Sequence, residues 1–192
     1  MNPDNPDELQ ALVESLLFVA EEPITINHLA QALGLAPKEI RKSLKALDEF
    51  YISRGLRIQR KGQRIRLVTA PEAAPYIERL LGLDLTRKLS PAALETLAIV
   101  AYRQPVTRTQ IEAVRGVDSQ GVLRTLAAQD LIAEVGRLDQ VGRPILYGTT
   151  FEFLQYFGLD DLSQLPTVDG DIESLLPAAP SAARQPDDAS GR

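Results

Sequence analysis

The stretch LSPAALETLAIVAYRQPVTRTQIEAVRGVDSQGVLRTLAAQDLIAEVGRLDQVGRPILYGTTFEFLQYFGLDDLSQLP, residues 89–166, decides the fold. Ser90 before Pro91 reads as an N-cap and a first helical residue, because proline lacks a donor that the first turn leaves unused anyway. Leu94, Leu97, Ile99, Val100 and Ala101 then form the wide apolar stripe of a buried helix, which Gln104 and Pro105 end. Thr107 and Gln110 stand at capping-box spacing and open a second helix, closed near Gly116, a residue suited to left-handed backbone. Asp118 is placed to cap a third helix carrying Val122, Leu123 and Leu126 on one side. Residues 132–135 read as a strand, 136–142 as a turn region and 144–149 as the return strand. Three helices followed by a hairpin are the order of a winged helix-turn-helix.

The hairpin is followed by an unusual concentration of rings. Thr149 and Glu152 offer another capping box, opening a short helix over FEFLQYFGL. Tyr147, Phe151, Phe153, Tyr156 and Phe157 make up five of the ten aromatics in the chain. A two-turn helix buries one face well, so rings all around it exceed what one small core absorbs. One or more of Phe153, Tyr156 and Phe157 is therefore expected in solvent, as an anchor for a partner.

The N-terminal half repeats the scheme. Residues 8–20 carry Leu9, Leu12, Val13, Leu16, Leu17 and Val19, a helical pattern with apolar residues on more than one side. Thr25 caps a second helix running to Leu33 and stopped by Gly34, and Pro37 begins a third with Ile40, Leu44 and Leu47 inward. Residues 56–69 alternate apolar and basic side chains around Lys61 and Gly62, the mark of a two-stranded wing. A further helix near 74–81, with Tyr76, Ile77, Leu80 and Leu81 on its apolar face, is expected to cap that wing.

The two halves read as an internal duplication. Leu16 aligns with Leu97, Val19 with Val100, Pro23 with Pro105, Thr25 with Thr107, Leu29 with Ile111, Gly34 with Gly116 and Leu44 with Leu126. Apolar rhythm alone does not supply matched Pro, Thr and Gly positions. The expected class is mainly α with small β-hairpin wings, as tandem winged helix-turn-helix domains. Their expected bounds are 1–83 and 89–166, with a linker at 84–88 and a tail at 167–192. The tail is rich in Pro, Ala, Ser and Asp and buries too little to offset its conformational entropy, so it is expected to be disordered. Ile172, Leu175 and Leu176 are its one apolar contact point.

Composition excludes most chemistry. The 192 residues hold no cysteine and one histidine, His28, so disulfides, thiolate ligands and imidazole clusters are out, and no cofactor or metal is expected. No phosphate loop, HExxH or nucleophile elbow is present, so no catalytic residue and no enzyme is expected. The N-terminus is acidic without an apolar signal core, and no run approaches spanning length, which fits a cytoplasmic protein without membrane contact. The net charge of −5 conceals a gradient. Residues 38–66 hold ten Lys or Arg against three acids, residues 89–150 balance six against six, and residues 151–192 hold eight acids against Arg184 and Arg192.

The run ALETLAIVAYRQPVTRTQIEAVRGVDSQGVLRTL, the later GRPILYGTTFEFLQYFGL and the closing LSQLP resemble the bacterial segregation and condensation protein B (ScpB) family. The likeness covers most of residues 91–166 and extends more loosely over the N-terminal half. It implies a non-enzymatic homodimeric accessory subunit that binds the kleisin, ScpA, and through it the SMC protein, in chromosome condensation and segregation during cell division. It also implies that the first domain dimerises, with Leu12, Leu16, Phe50 and Tyr51 as candidates. The second is implied to bind kleisin, with Tyr102, Arg143, Tyr147, Phe153, Tyr156 and Phe157 as candidates.

DNA binding is the alternative, as a nucleoid-associated protein or a repressor. Lys38, Arg41, Lys42 and Lys45 share one face of the first domain's third helix, and Arg57, Arg60, Lys61, Arg64 and Arg66 decorate its wing. That footprint contacts phosphates without reading sequence, so weak, salt-sensitive binding is expected. The third helix of the second domain carries one cation, Arg124, and is expected to meet phosphates badly.

Overall fold

The computed structural model describes residues 1–3, 5–81 and 89–167. The linker expected at 84–88 and the tail from residue 168 lie outside the described residues. By internal contacts the chain divides into two units, Met1–Thr86 with Leu154–Leu165, and Arg87–Phe153 with Pro166–Arg192. Each is a winged helix, and the class is mainly α with two small antiparallel sheets.

The first unit starts with α1 (Pro6–Val19), capped by the Asn5 side chain, which accepts from the Asp7 N–H at 3.1 Å. It buries Leu9, Val13 and Leu17, a single i, i+4, i+8 line. Then come β1 (Ile24–Thr25), α2 (Ile26–Leu33) and α3 (Pro37–Tyr51). Thr25 caps α2 through the His28 N–H, and Gly34 closes it at φ 67°, a left-handed position that glycine occupies without strain. Ala36 has no capping side chain; the Glu39 carboxylate instead accepts its N–H at 2.9 Å. The wing, β2 (Leu56–Lys61) and β3 (Arg64–Thr69), turns at Gly62, and β1 joins it in the order β1-β3-β2. Leu29, Ile40, Leu44, Leu47, Ile58 and Ile65 fill the core with the α1 line. A 3₁₀ turn at Pro71–Ala73 leads into α4 (Ala74–Leu81), none of whose residues is buried.

The second unit runs α5 (Pro91–Arg103), β4 (Val106–Thr107), α6 (Arg108–Arg115), α7 (Gln120–Ala128), β5 (Ile132–Arg137) and β6 (Ile145–Thr149). Its sheet, β4-β6-β5, repeats the order of the first. Ser90 caps α5, and the Thr107–Gln110 capping box closes both ways, at 3.3 and 2.8 Å. The expected Asp118 cap shifts by one residue: Ser119 is the N-cap of α7, while the Asp118 carboxylate receives the Gln120 N–H. Ser119 is fully buried and accepts from Arg115 at 2.9 Å, and its N–H donates to Glu112 at 3.1 Å. Arg115 also pairs with Glu95 at 3.0 Å, so this cluster holds the helix-turn-helix. Gln104, at the end of α5, accepts both the N–H and the hydroxyl of Thr149 at 2.8 and 3.0 Å. That occupies Thr149, and α8 (Phe151–Tyr156) is capped by Thr150, whose hydroxyl accepts the Phe153 N–H and donates to the Asp130 carbonyl.

The duplication shows in the shared element order and in Thr25/Thr107, Leu29/Ile111 and Gly34/Gly116, which hold equivalent cap, core and terminator positions. The first-helix register is corrected. Leu97 and Val100 are buried, whereas Leu16 is half-buried and Val19 is 69% exposed, because α1 buries one line and α5 a wide arc.

Residues Leu154–Leu165 belong with the first unit, although the sequence counts them in the second domain. Gln59, buried in β2, donates to the Leu159 carbonyl at 2.8 Å, and the Arg60 N–H donates to the Asp160 carbonyl at 2.7 Å. Arg66 reaches Gln155 at 3.3 Å. Gly158, at φ 66°, lies so close to Pro71 that a Cβ there would sit 3.2 Å from the ring. Replacing Gln59 with Ala removes a buried hydrogen-bonding hub. Urea unfolding of the Gln59→Ala chain is expected to show a loss of about 1–3 kcal/mol.

Candidate functional site

Among the described residues no group of three or more His, Cys, Asp or Glu is placed to hold a metal. His28 is exposed on the first turn of α2. No described helix is long and apolar enough to cross a membrane.

On the first unit, the 9/13/17 line of α1, with Leu16 packed against its edge, leaves Phe18 and Val19 outside the core. Leu12 and Leu16 are half-buried, Phe18 is 82% and Val19 is 69% exposed. At the end of α3, Phe50 is 47% and Ile52 is 73% exposed, with the Arg54 guanidinium 4.0 Å above the Phe50 ring. Phe18 and Ile52 were not among the candidates; the signal was their phase, off the lines of apolar residues that close the core. Tyr51 is corrected. It is 1% exposed, its ring belongs to the core, and its hydroxyl donates to Glu14 at 2.7 Å. Burial first, and then the bond to Glu14, push that hydroxyl above the usual tyrosine range.

The aromatic group after the second wing separates by burial. Phe151 and Phe153 are buried, at 8% and 2%, while Tyr156 and Phe157 are 49% and 43% exposed, their rings edge-on at 5.1 Å. Phe153 is therefore corrected as a partner contact: with Phe151 and Leu154 it buries α8 over a wide arc, so the structure absorbs more rings than one helix face would. Tyr156 and Phe157 belong to the first unit with Leu154–Leu165. Tyr102 is 39% exposed at the end of α5, and its hydroxyl donates to the Pro166 carbonyl at 2.8 Å.

Arg143 and Tyr147 come together on the second unit, in a groove of about 560 Å³ between α6, α7 and the wing. Four arginines line it: Arg108, Arg124, Arg137 and Arg143. Composition gives that domain a balanced charge, and α7 does carry Arg124 alone, yet the fold gathers cations from three further places. Arg143 occupies φ 39°, a region sparsely used outside glycine and asparagine.

The basic face of the first unit thins out. Arg57 donates to the Tyr51, Arg54 and Leu56 carbonyls, tying off the end of α3. Arg60 pairs with Asp48 at 2.6 Å, Arg66 bonds Gln59 at 3.1 Å, and burial lowers the pKa of Lys61. Lys38, Arg41, Lys42, Lys45 and Arg64 remain exposed. The expected wing capping by α4 is corrected as well. Ile77 is half-buried, but Tyr76, Leu80 and Leu81 are 68%, 84% and 60% exposed.

The family model for the segregation and condensation complex subunit ScpB matches residues 11–168. The segregation and condensation protein B of Moorella thermoacetica is 50% identical over 165 residues, 85% of this chain and 84% of that protein. The protein of that name from Halalkalibacterium halodurans is 47% identical over 169 residues, 86% of each. A solved dimer of a ScpB N-terminal domain, complexed with a ScpA peptide, is 27% identical, with 38% of this chain and 95% of that one covered and a TM-score of 0.37.

Adjacent residues at the end of α3 give a direct contrast between surface and core. Tyr51→Ala is expected to cost about 3–5 kcal/mol in denaturant melts, the usual range for an aromatic truncated in a core. At concentrations where the chain is monomeric, Phe50→Ala should stay within about 0.5 kcal/mol of the parent, as a surface change does.

Proposed function

The chain belongs to the ScpB family of segregation and condensation complex subunits, and on that premise we propose that it is a homodimeric scaffold that grips the kleisin ScpA, and through it SMC, without a catalytic step of its own. The observation that carries this reading is the apolar surface left over once both cores are complete. Phe18, 82% exposed on a helix whose buried line is already closed, is its clearest member. Leu12, Leu16, Phe18, Val19 and Phe50 are assigned to self-association. Tyr102, Arg143 and Tyr147 on the second unit and, separately, Tyr156 and Phe157 on the first are assigned to kleisin, as anchors for amphipathic segments of that partner. A dimer presents every kleisin site twice, so one chain held at two places gains effective concentration for its second contact. A protein acting this way works in the cytoplasm, at the nucleoid.

A second, weaker activity rests on Lys38, Arg41, Lys42 and Lys45, exposed along one side of α3 with no carboxylate partner among the described residues. They offer phosphate contacts alone, so DNA association is weak, indifferent to sequence and sensitive to salt.

Isothermal titration with the central segment of kleisin tests the scaffold. Tyr156→Ala should leave the melting temperature nearly unchanged and weaken binding by about 2 kcal/mol or more if it is an anchor. Unweakened binding by folded Tyr156→Ala and Phe157→Ala chains would remove this pair from the kleisin surface. For DNA, reversing charge at Arg41, Lys42 and Lys45 should abolish retardation of a random duplex and leave kleisin affinity alone. A tight, salt-resistant preference for one operator would promote the repressor reading instead.

A further inference from the structure

We infer that the acidic segment at residues 169–176 of the chain's own C-terminal tail docks in the arginine-lined groove of the second unit. Two of the four arginines there are neutralised locally, Arg108 by Glu112 at 3.6 Å and Arg137 by Glu134 at 3.0 Å. Arg124 and Arg143 are exposed and face no carboxylate among the described residues. Between them lies a floor of Leu123, Ile145 and Tyr147. Two unanswered positive charges beside an apolar concavity select an anionic peptide with apolar residues interleaved. A recognition helix serving duplex DNA has to protrude into the major groove, whereas this surface is recessed.

The chain carries a segment of that chemistry. Asp169, Asp171 and Glu173 alternate with Ile172 and are followed by Leu175 and Leu176, and no Lys or Arg occurs between Arg143 and Arg184. Reach is sufficient. The Tyr102 hydroxyl holds the Pro166 carbonyl at 2.8 Å, and Val106, four residues beyond Tyr102, pairs with Tyr147 of the groove. Those four residues span at most about 14 Å, and the three to ten residues from Pro166 to the segment extend to about 10–35 Å. A segment tethered this closely meets the groove at an effective concentration on the order of millimolar, so individually weak pairs suffice. Docking does not depend on the kleisin reading, but any partner that uses Arg143 or Tyr147 has to displace the tail.

The absence of native cysteine makes disulfide trapping in the full chain a clean test. Ala127→Cys, on the exposed lining of the groove, is combined with Ser174→Cys and oxidised at low salt, with Ala32→Cys on the first unit as the control partner. The thiols introduced at positions 127 and 174 should cross-link within one chain several-fold faster than the control pair. Arg124→Glu with Arg143→Glu should slow that reaction about five-fold, the loss expected of two exposed ion pairs. Adding Asp169→Arg, Asp171→Arg and Glu173→Arg to that same chain should restore the rate, which a misfolded variant cannot do. Equal rates for the two partners, indifference to charge reversal, or cross-links only between chains would overturn the proposal. So would unchanged cross-linking together with loss of duplex binding on reversal at Arg124 and Arg143, which would make the groove a nucleic-acid contact.

Discussion

A small winged-helix core covers only a limited arc of each helix, and apolar residues outside that arc stay in water until another molecule covers them. That constraint decides which apolar side chains of this chain stay exposed. In α1, Leu9, Val13 and Leu17 complete the inward line, and Phe18 and Val19 have no inward place left. At the end of α3, Tyr51 turns into the core and Phe50 turns out. Tyr156 and Phe157 remain outside after Phe151, Phe153 and Leu154 have been buried. These side chains and the arginine groove are the surfaces to which the partner proposals are assigned.

The strings that make the family resemblance specific turn out to serve the fold. In RGVDSQGVL, Arg115 and Ser119 are tied to each other and to Glu95 and Glu112, and Gly116 terminates α6 at φ 71°. In GRPILYGTT, a Cβ at Gly148 would lie 2.8 Å from Val135, while Thr149 satisfies Gln104 and Thr150 caps α8. Residues of this kind fix local geometry, which explains why they are distinctive. The surfaces assigned to partners use less distinctive residues, chosen by phase on a helix.

Local punctuation was legible in the sequence. Ser90-Pro91, Thr25, Thr107, Gly34 and Gly116 act through contacts within four residues, so their roles follow from spacing alone. Long-range placement was not. The bond from Gln59 to Leu159 spans 100 residues and leaves no periodic trace, so the return of Leu154–Leu165 to the first wing was invisible. The two-residue strands β1 and β4 are too short to show alternation. The arginine groove escaped for a related reason. Arg108, Arg124, Arg137 and Arg143 come from separate elements, and a count along the chain cancels them against acids that lie elsewhere. Ring count and helix width point Phe153 outward because they understate how many rings a small core holds.

The assignment of the leftover apolar face to self-association is tested most directly by molar mass in solution. Light scattering on the full chain at micromolar concentration should give twice 21.1 kDa, and Phe18→Asp combined with Phe50→Asp should return the folded protein to 21.1 kDa. A parent chain of 21.1 kDa, or a dimer indifferent to those two charges, would contradict it.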